Sequence, residues 1–384
     1  MLRYAVGLVA LLTVFSSCEP KVNLIGEYEE KPLIYGLLDP SESVHLFRIQ
    51  KAFLGEESAF IMAQNPDSSY FKYEDLFVEL VEYDGSDETN RWVLDTININ
   101  NKETGNPDDE EVDFFGPSQR LYKYEGTLDV DREYEITLKK RPVGMAGEMT
   151  IANMDTVTQL ADSRISLIGL GSFRFENPNQ NLANSSSRKM TLVNQSGEGI
   201  QYVVKFRQAE NVGQYEVWLR FHFREIRNNV EELKSIEWLA RQVDIDVDNQ
   251  GLTEIQVPIT AEEIYSQIGS EVPEESDVIR KIGKADDAPA DPYPTEIDGH
   301  TQDFDIVIRM AGNELFEYME INDPNSSGVL QDKPVYTNIN NGLGVFSSRS
   351  QVDFLNRIYL STESYDELVG GEFTSNRGFV VDPD

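Results

Sequence analysis

Over residues 215–224 the chain alternates without a break: Tyr215, Val217, Leu219, Phe221 and Phe223 are apolar, and Glu216, Trp218, Arg220, His222 and Arg224 stand between them. A period of two puts the two sets on opposite faces of an extended strand, so one face must be covered by a second layer of structure. Phe304, Ile306, Ile308 and Met310 line a further strand by the same rule, and residues 202–207 are the expected partner of the 215–224 strand.

The first third of the chain repeats this pattern in shorter pieces. Leu76, Val78 and Leu80 alternate with Glu79, and Tyr134, Ile136 and Leu138 alternate with Glu133, Glu135 and Lys139. Tyr83-Asp84-Gly85-Ser86 supplies turn chemistry between one strand and the next, which is expected near Trp92. About seven such segments over 32–160 predict an immunoglobulin-like β-sandwich. Residues 161–384 predict a larger antiparallel β-rich domain with a few short helices, so the fold class is mainly β. Thr260 and Glu263 form a capping box that opens a helix expected to close at Gly269, and Asn313 can cap a helix through Met319. Residues 230–240 fit helix or strand equally. Residues 101–111 are too polar to bury, and 285–300, with Pro289, Pro292 and Pro294 among acidic residues, read as a mobile surface loop.

The N-terminus carries an address. Arg3 precedes an apolar run from Ala5 to Phe15, and small Ser16 and Ser17 come just before Cys18, the single cysteine. Residues 1–17 therefore read as a lipoprotein signal peptide, Cys18 as the site of lipidation, and 18–31 as a polar tether that binds outer-membrane lipid through the acylated thiol. Phe15 departs from the Leu or Val usual three places before such a cysteine. A balance of 33 Lys+Arg against 68 Asp+Glu, net −35, repels a phosphate backbone and argues against nucleic acid as a partner. One cysteine excludes an internal disulfide, and three histidines leave little for a metal centre.

The candidate sites each have a plain structural reading. Asp244, Asp246 and Asp248 followed by Gly251 invite comparison with a calcium loop, but Asn249 and Ile255 stand where Gly and Glu are needed. Alternation with Val243, Ile245 and Val247 makes these acids the wet face of a strand, and the acidic run at Asp108, Asp109, Glu110 and Glu111 reads as solvated charge. Arg220, His222 and Arg224 share one strand face and could hold an anion or a partner's carboxylate; the simpler reading is cross-strand pairing with the surplus acids. His222 has no nucleophile to activate, since no Gly-x-Ser-x-Gly occurs. His45 heads a strand and His300 falls in the proline-containing loop. Gly342 and Gly344 fit a turn or bulge before the Val345-Phe346 strand. Trp218 and Trp238 suit either a sugar platform or core packing. Thr96 and Thr156, each between Asp and a β-branched residue, match the short acceptor tripeptide for O-glycosylation in Bacteroidota. No catalytic residue, cofactor or metal ligand is assigned.

Four stretches, Ile34-Tyr-Gly-Leu-Leu-Asp39, the run from His45 to Gly55, the run from Tyr215 to Glu225 and the run from Lys333 to Arg349, resemble an uncharacterised family of Bacteroidota outer-membrane lipoproteins, a domain of unknown function with an immunoglobulin-like N-terminal part. The resemblance implies an accessory role beside TonB-dependent transporters and carries over no catalytic residues. The expected function is a lipid-anchored, non-catalytic binding or assembly module with an outer-membrane protein or glycan as partner. The alternatives are a secreted glycan or peptide hydrolase using a carboxylate pair that the sequence does not place, and a structural subunit of an outer-membrane machine.

Overall fold

The computed structural model describes residues 31–52, 59–72, 75–101, 116–140, 158–171, 173–177, 180–181, 188–245, 254–283, 303–322 and 336–381. The fold is mainly β, with few helices, and its strands form two sandwiches.

The first sandwich uses β1 (Pro32–Leu38), β2 (Val44–Lys51), β3 (Leu76–Asp84), β4 (Asp87–Val93), β5 (Asp95–Asn100), β6 (Ser118–Glu125), β7 (Glu133–Lys140) and β8 (Thr158–Ser166). One layer runs β1-β2-β6-β5 and the other β4-β3-β7-β8. That is the immunoglobulin arrangement, with the first layer in the order A-B-E-D and the second in the order C′-C-F-G. Ile34, Phe47, Leu80, Tyr134, Ile136 and Leu138 fill the space between them and are fully buried. The chain has the tyrosine corner of such sandwiches: the Tyr134 hydroxyl, near the start of β7, accepts from the Asp129 amide at 2.8 Å and donates to Glu82 at 2.8 Å. Alternation makes Glu79 a solvent-side residue, yet it is wholly buried, because Arg91 and Lys139 each reach its carboxylate at 2.8 Å and fold over it. Two short helices, α1 (Ala59–Ala63) and α2 (Pro66–Ser69), follow β2.

The second sandwich has β9 (Arg174–Asn177), β10 (Gln180–Asn181), β12 (Gln201–Arg207) and β15 (Glu254–Thr260) in one layer, ordered β10-β9-β12-β15. Its other layer holds β11 (Arg188–Met190), β13 (Val212–Arg227), β14 (Val230–Asp244), β16 (Ile279–Ile282), β17 (Phe304–Gly312), β18 (Leu343–Leu360) and β19 (Phe379–Val381). Val204, Phe206, Tyr215, Val217, Phe221, Ile306 and Ile308 form the core, closed at its ends by α3 (Ala261–Glu271) and α5 (Thr362–Gly370) through Ile264 and Leu368. A further helix, α4 (Asn313–Asn322), follows β17 directly.

Strand β18 joins the two. Residues 343–348 pair in parallel with β1 of the first sandwich, and residues 349–358 pair antiparallel with β17 of the second. One layer of each sandwich therefore belongs to a single eleven-stranded sheet. Gly344 makes the junction possible: it lies at φ +105, and a Cβ there would strike the Ile34 carbonyl of β1. Ile339 and Phe346, from the C-terminal part of the chain, pack in the first core beside Ile34 and Phe47.

Two expectations are corrected and one open reading is decided. The 202–207 strand does not pair with β13; it is β12, in the opposite layer, hydrogen-bonded to β15 and β9, and its Phe206 ring meets Tyr215 at 5.0 Å across the core. Alternation reveals that a face is buried but not which neighbour lies in the same plane. Residues 230–240 are strand, because Asn228 and Asn229 both take positive φ (51 and 62) and fold β14 back on β13. Gly269 does not end α3, which continues to a cap at Val272; the glycine lets the Phe373 carbonyl approach the helix side. The Thr260–Glu263 capping box is formed in both directions, and α4 runs three residues beyond Met319.

Candidate functional site

At the junction the large sheet has one core-facing side and one side with no second sheet. Alternation turns Arg349, Gln351 and Asp353 of β18 to this outer side, in register with Ala311, Arg309 and Val307 of β17, while Glu216 of β13 stands opposite Arg309. Helix α4 lies over the same side. Ser347 ties it down, accepting from the Leu315 amide at 3.1 Å and donating to Glu314 at 2.9 Å. Phe316 sits against Gly213, and Tyr318 meets the Tyr35 ring edge-on at 6.2 Å. The turn after β1, held by Asp39 accepting from the Ser41 amide and hydroxyl at 3.0 and 2.7 Å, forms the facing wall. Between helix and turn is a cleft of about 560 Å³, within the usual range for a ligand site.

Leu37, Ala311, Leu315 and Met319 give the cleft apolar surface. Two arginines border it. Arg309 is fixed: its guanidinium stacks 4.4 Å from the Trp218 ring centre and donates to Glu237 at 2.7 Å and Gln351 at 3.3 Å. Burial pushes the Glu237 carboxyl up, but its bonds to Arg220 and Arg309 outweigh this and hold it below the usual carboxylate range. Arg349 is half exposed and meets Asp39 and Glu42 only at 3.7 Å. Of the four acids on the rim, Asp39, Glu42, Glu216 and Asp353, two have close side-chain donors outside the turn: Glu216 accepts from the Trp218 indole at 2.8 Å and Asp353 from Gln351 at 2.7 Å.

The Arg220, His222 and Arg224 stripe lies on one face as alternation requires, but away from the cleft. Arg220 donates to Glu237 at 2.8 Å and stands 3.7 Å from Asp305. His222 Nε2 is 2.8 Å from the wholly buried Asp305 carboxylate, and Arg224 is 3.4 Å from Glu231. Each of the three faces a carboxylate of a neighbouring strand. The sequence reading missed Arg309 and Arg349; the signal available was an arginine on the outer phase of two alternating strands, which gains meaning only once their register is known.

Asp303 is the carboxyl that burial pushes above its ordinary range, against the opposing hydrogen bonds from Tyr365, the Leu360 amide and the Gly283 amide. It lies inside the second sandwich, not on the cleft, and its oxygens are engaged in holding β17 to its neighbours. The Tyr365 hydroxyl is pushed upward by burial and by the Asp303 charge. His45 is buried and stacked 5.8 Å from Tyr124, and burial lowers its pKa. Trp238 packs edge-on against Phe304 in the core. Thr96 is on β5, half-buried. Cys18, Thr156, His300, the acidic run at 108–111, Asp246, Asp248, Gly251 and the 285–300 segment lie outside the described residues. Among the described residues no group of three or more His, Cys, Asp or Glu is placed to hold a metal ion, and no helix is long and apolar enough to cross a membrane.

No known family model matches the chain, and no curated protein matches it. A solved structure, the C-terminal globular domain of an oligosaccharyltransferase from Pyrococcus abyssi, aligns with 10% identity over 65% of this chain and 45% of that one, at a TM-score of 0.19. The chain thus spans under half the length of that structure, and the score is too low for the likeness to bear on function.

Proposed function

We propose that the protein is a lipid-anchored, non-catalytic binding or assembly module of the outer membrane, tethered through acylated Cys18, and that it holds its partner in the cleft over β18. One observation carries the reading: the cleft is built where two sandwiches share a strand, so its floor is a continuous hydrogen-bonded sheet and its walls are a tied-down helix and a tight turn. Such a floor presents side chains without the ordering penalty a flexible loop would pay on binding. Support for the anchor comes from the leader, Arg3 with the apolar run to Phe15 and the Ser-Ser-Cys18 junction. Each acyl CH₂ buried in lipid adds about 0.8 kcal/mol, so several chains hold the protein on the membrane for its lifetime. The resemblance to Bacteroidota lipoproteins supports a place beside a TonB-dependent transporter, with an envelope protein or glycan as partner.

The test is a pair of measurements on the native envelope. Replacing Cys18 by Ser is expected to abolish palmitate incorporation and release the chain from the membrane fraction, while the parent, gently solubilised, brings down a stoichiometric partner. A variant that still sediments with lipid, or recovery of the parent alone together with turnover of a glycan panel, overturns the reading, the latter in favour of the hydrolase.

A further inference from the structure

We propose that His45 is a pH latch on the cleft: neutral, it packs beneath the turn that walls the cleft and holds it in place, and protonated, it pulls that turn apart. The latch stands on geometry alone, and the release of a bound partner on acidification rests on the reading above. His45 is the second residue of β2, just after the turn whose Asp39, Ser41 and Glu42 line the cleft. Alternation turns its side chain inward, where it is 2% exposed, while Val44 and Leu46 on either side stay exposed. The ring stacks 5.8 Å from that of Tyr124, its cross-strand partner on β6. Its Nε2 is buried without a hydrogen-bond partner among the described residues. A neutral imidazole leaves only a bare lone pair there. An imidazolium places a second N–H and a full charge in the same spot, with neither acceptor nor water to meet them. His222, also buried, differs in having the Asp305 carboxylate 2.8 Å from its Nε2.

The charged and titratable groups that face the ring are Asp39 and Glu42 of the turn, Tyr124 of β6 and Arg349 of β18. Burial lowers the His45 pKa, the Asp39 and Glu42 charges and a hydrogen bond to the Glu42 carbonyl raise it, and the Arg349 charge lowers it; burial wins. The folded ring therefore binds its proton less readily than the unfolded one, and the stability it contributes is full above the unfolded value of about 6.5 and is lost as pH falls below it. Tyr124 stays neutral over this range, since burial and the Glu82 charge push its hydroxyl upward. The carboxylates that face the ring are already in use by the turn. Asp39 accepts from the Ser41 amide and hydroxyl at 3.0 and 2.7 Å, and Asp39 and Glu42 both stand 3.7 Å from Arg349. A protonated His45 draws on these same acids, so the bonds that shape the wall and the counter-charges of Arg349 weaken together.

The experiment uses the full chain with Cys18→Ser, which removes the single native thiol, and nitroxides attached at Ser43→Cys in the turn and Glu320→Cys on α4, both exposed positions. The distance distribution between the labels is expected to be narrow at pH 7.5 and to roughly double in width at pH 5, with a midpoint below 6.5. His45→Phe, which keeps a ring against Tyr124 and cannot charge, should hold the narrow form at both. The His45 ring resonance, assigned by its contact with Tyr124, should titrate with the same midpoint, and this decides the matter even where His45→Phe does not fold. A distribution indifferent to pH, a change that persists in His45→Phe, or a ring that titrates without the distance change overturns the latch. A partner recovered from the envelope at pH 7.5 should leave the parent at pH 5 and stay on His45→Phe. Retention by the parent while the wall moves overturns the release, and failure to recover any partner at pH 7.5 removes the broader reading without touching the latch.

Discussion

Each sandwich sets a tyrosine hydroxyl against a carboxylate, and the two pairs titrate in opposite directions. In the first, Glu82 accepts from Tyr134 at 2.8 Å, Thr89 at 2.7 Å and Asn90 at 2.6 Å; burial pushes its carboxyl up, but these three donors win and hold it below the usual range. In the second, Asp303 also has three donors, yet burial wins and the carboxyl is raised. The donor count is the same and the depth is not: Glu82 retains 9% exposure at the layer edge, Asp303 1% in the interior. Hydrogen bonds stabilise a charge only as far as they replace the water it has lost.

Removing the acceptor should separate the two regions most. Asp303→Ala leaves two amides and a tyrosine hydroxyl unpaired in the interior and should cost about 3–5 kcal/mol in urea unfolding, whereas Glu82→Ala, near solvent, should cost about 1–2 kcal/mol. Equal losses would break the comparison. Next come the glycines. Gly344→Ala forces a side chain into the β1 carbonyl at the shared strand and should cost about 3 kcal/mol, while Gly85→Ala, at φ +61 with open space around it, should cost about 1 kcal/mol. Tyr134→Phe should remove about 1 kcal/mol, measured by the same unfolding curve, because the Asp129 amide and Glu82 lose a common partner.

The smallest effect is the one that carries a sign. Glu82, held low in the fold, contributes stability that is present above its unfolded pKa and is lost as pH falls through the folded value. Asp303, held high, contributes stability that is present below its unfolded pKa and is lost as pH rises toward the folded value. Unfolding free energies at pH 4 and pH 6 should therefore diverge between variants: Glu82→Gln makes the rise with pH shallower, and Asp303→Asn makes it steeper. Slopes that change in the same direction would contradict the assignment of burial as the dominant cause for Asp303.

The strands were legible because alternation is local. Leu76, Val78 and Leu80, or Tyr215 through Arg224, declare a buried face from a few residues, and the capping box at Thr260 declares a helix start the same way. A strand's partner was legible only where a tight turn joins the two, as between β3 and β4 at Asp84-Gly85; elsewhere it was not, since Phe206 and Tyr215 have the same pattern whether they share a sheet or face each other across a core. The same limit hid the cleft. Arg309 and Arg349 lie forty residues apart, and only the register of β17 on β18 makes them neighbours. The stripe that sequence did single out, Arg220 with His222 and Arg224, fell on strands rich in acids, where cross-strand carboxylates occupy it.

Site-specific photo-crosslinking in intact cells tests the central claim most directly. A photoreactive side chain at Met319, on the cleft, is compared with one at Thr96, on β5 at the far edge of the same sheet. A single discrete envelope-protein adduct from position 319, absent from position 96 and reduced by Arg349→Gln, is the predicted result. Adducts at both positions alike, or at position 96 alone, would contradict a partner held over β18.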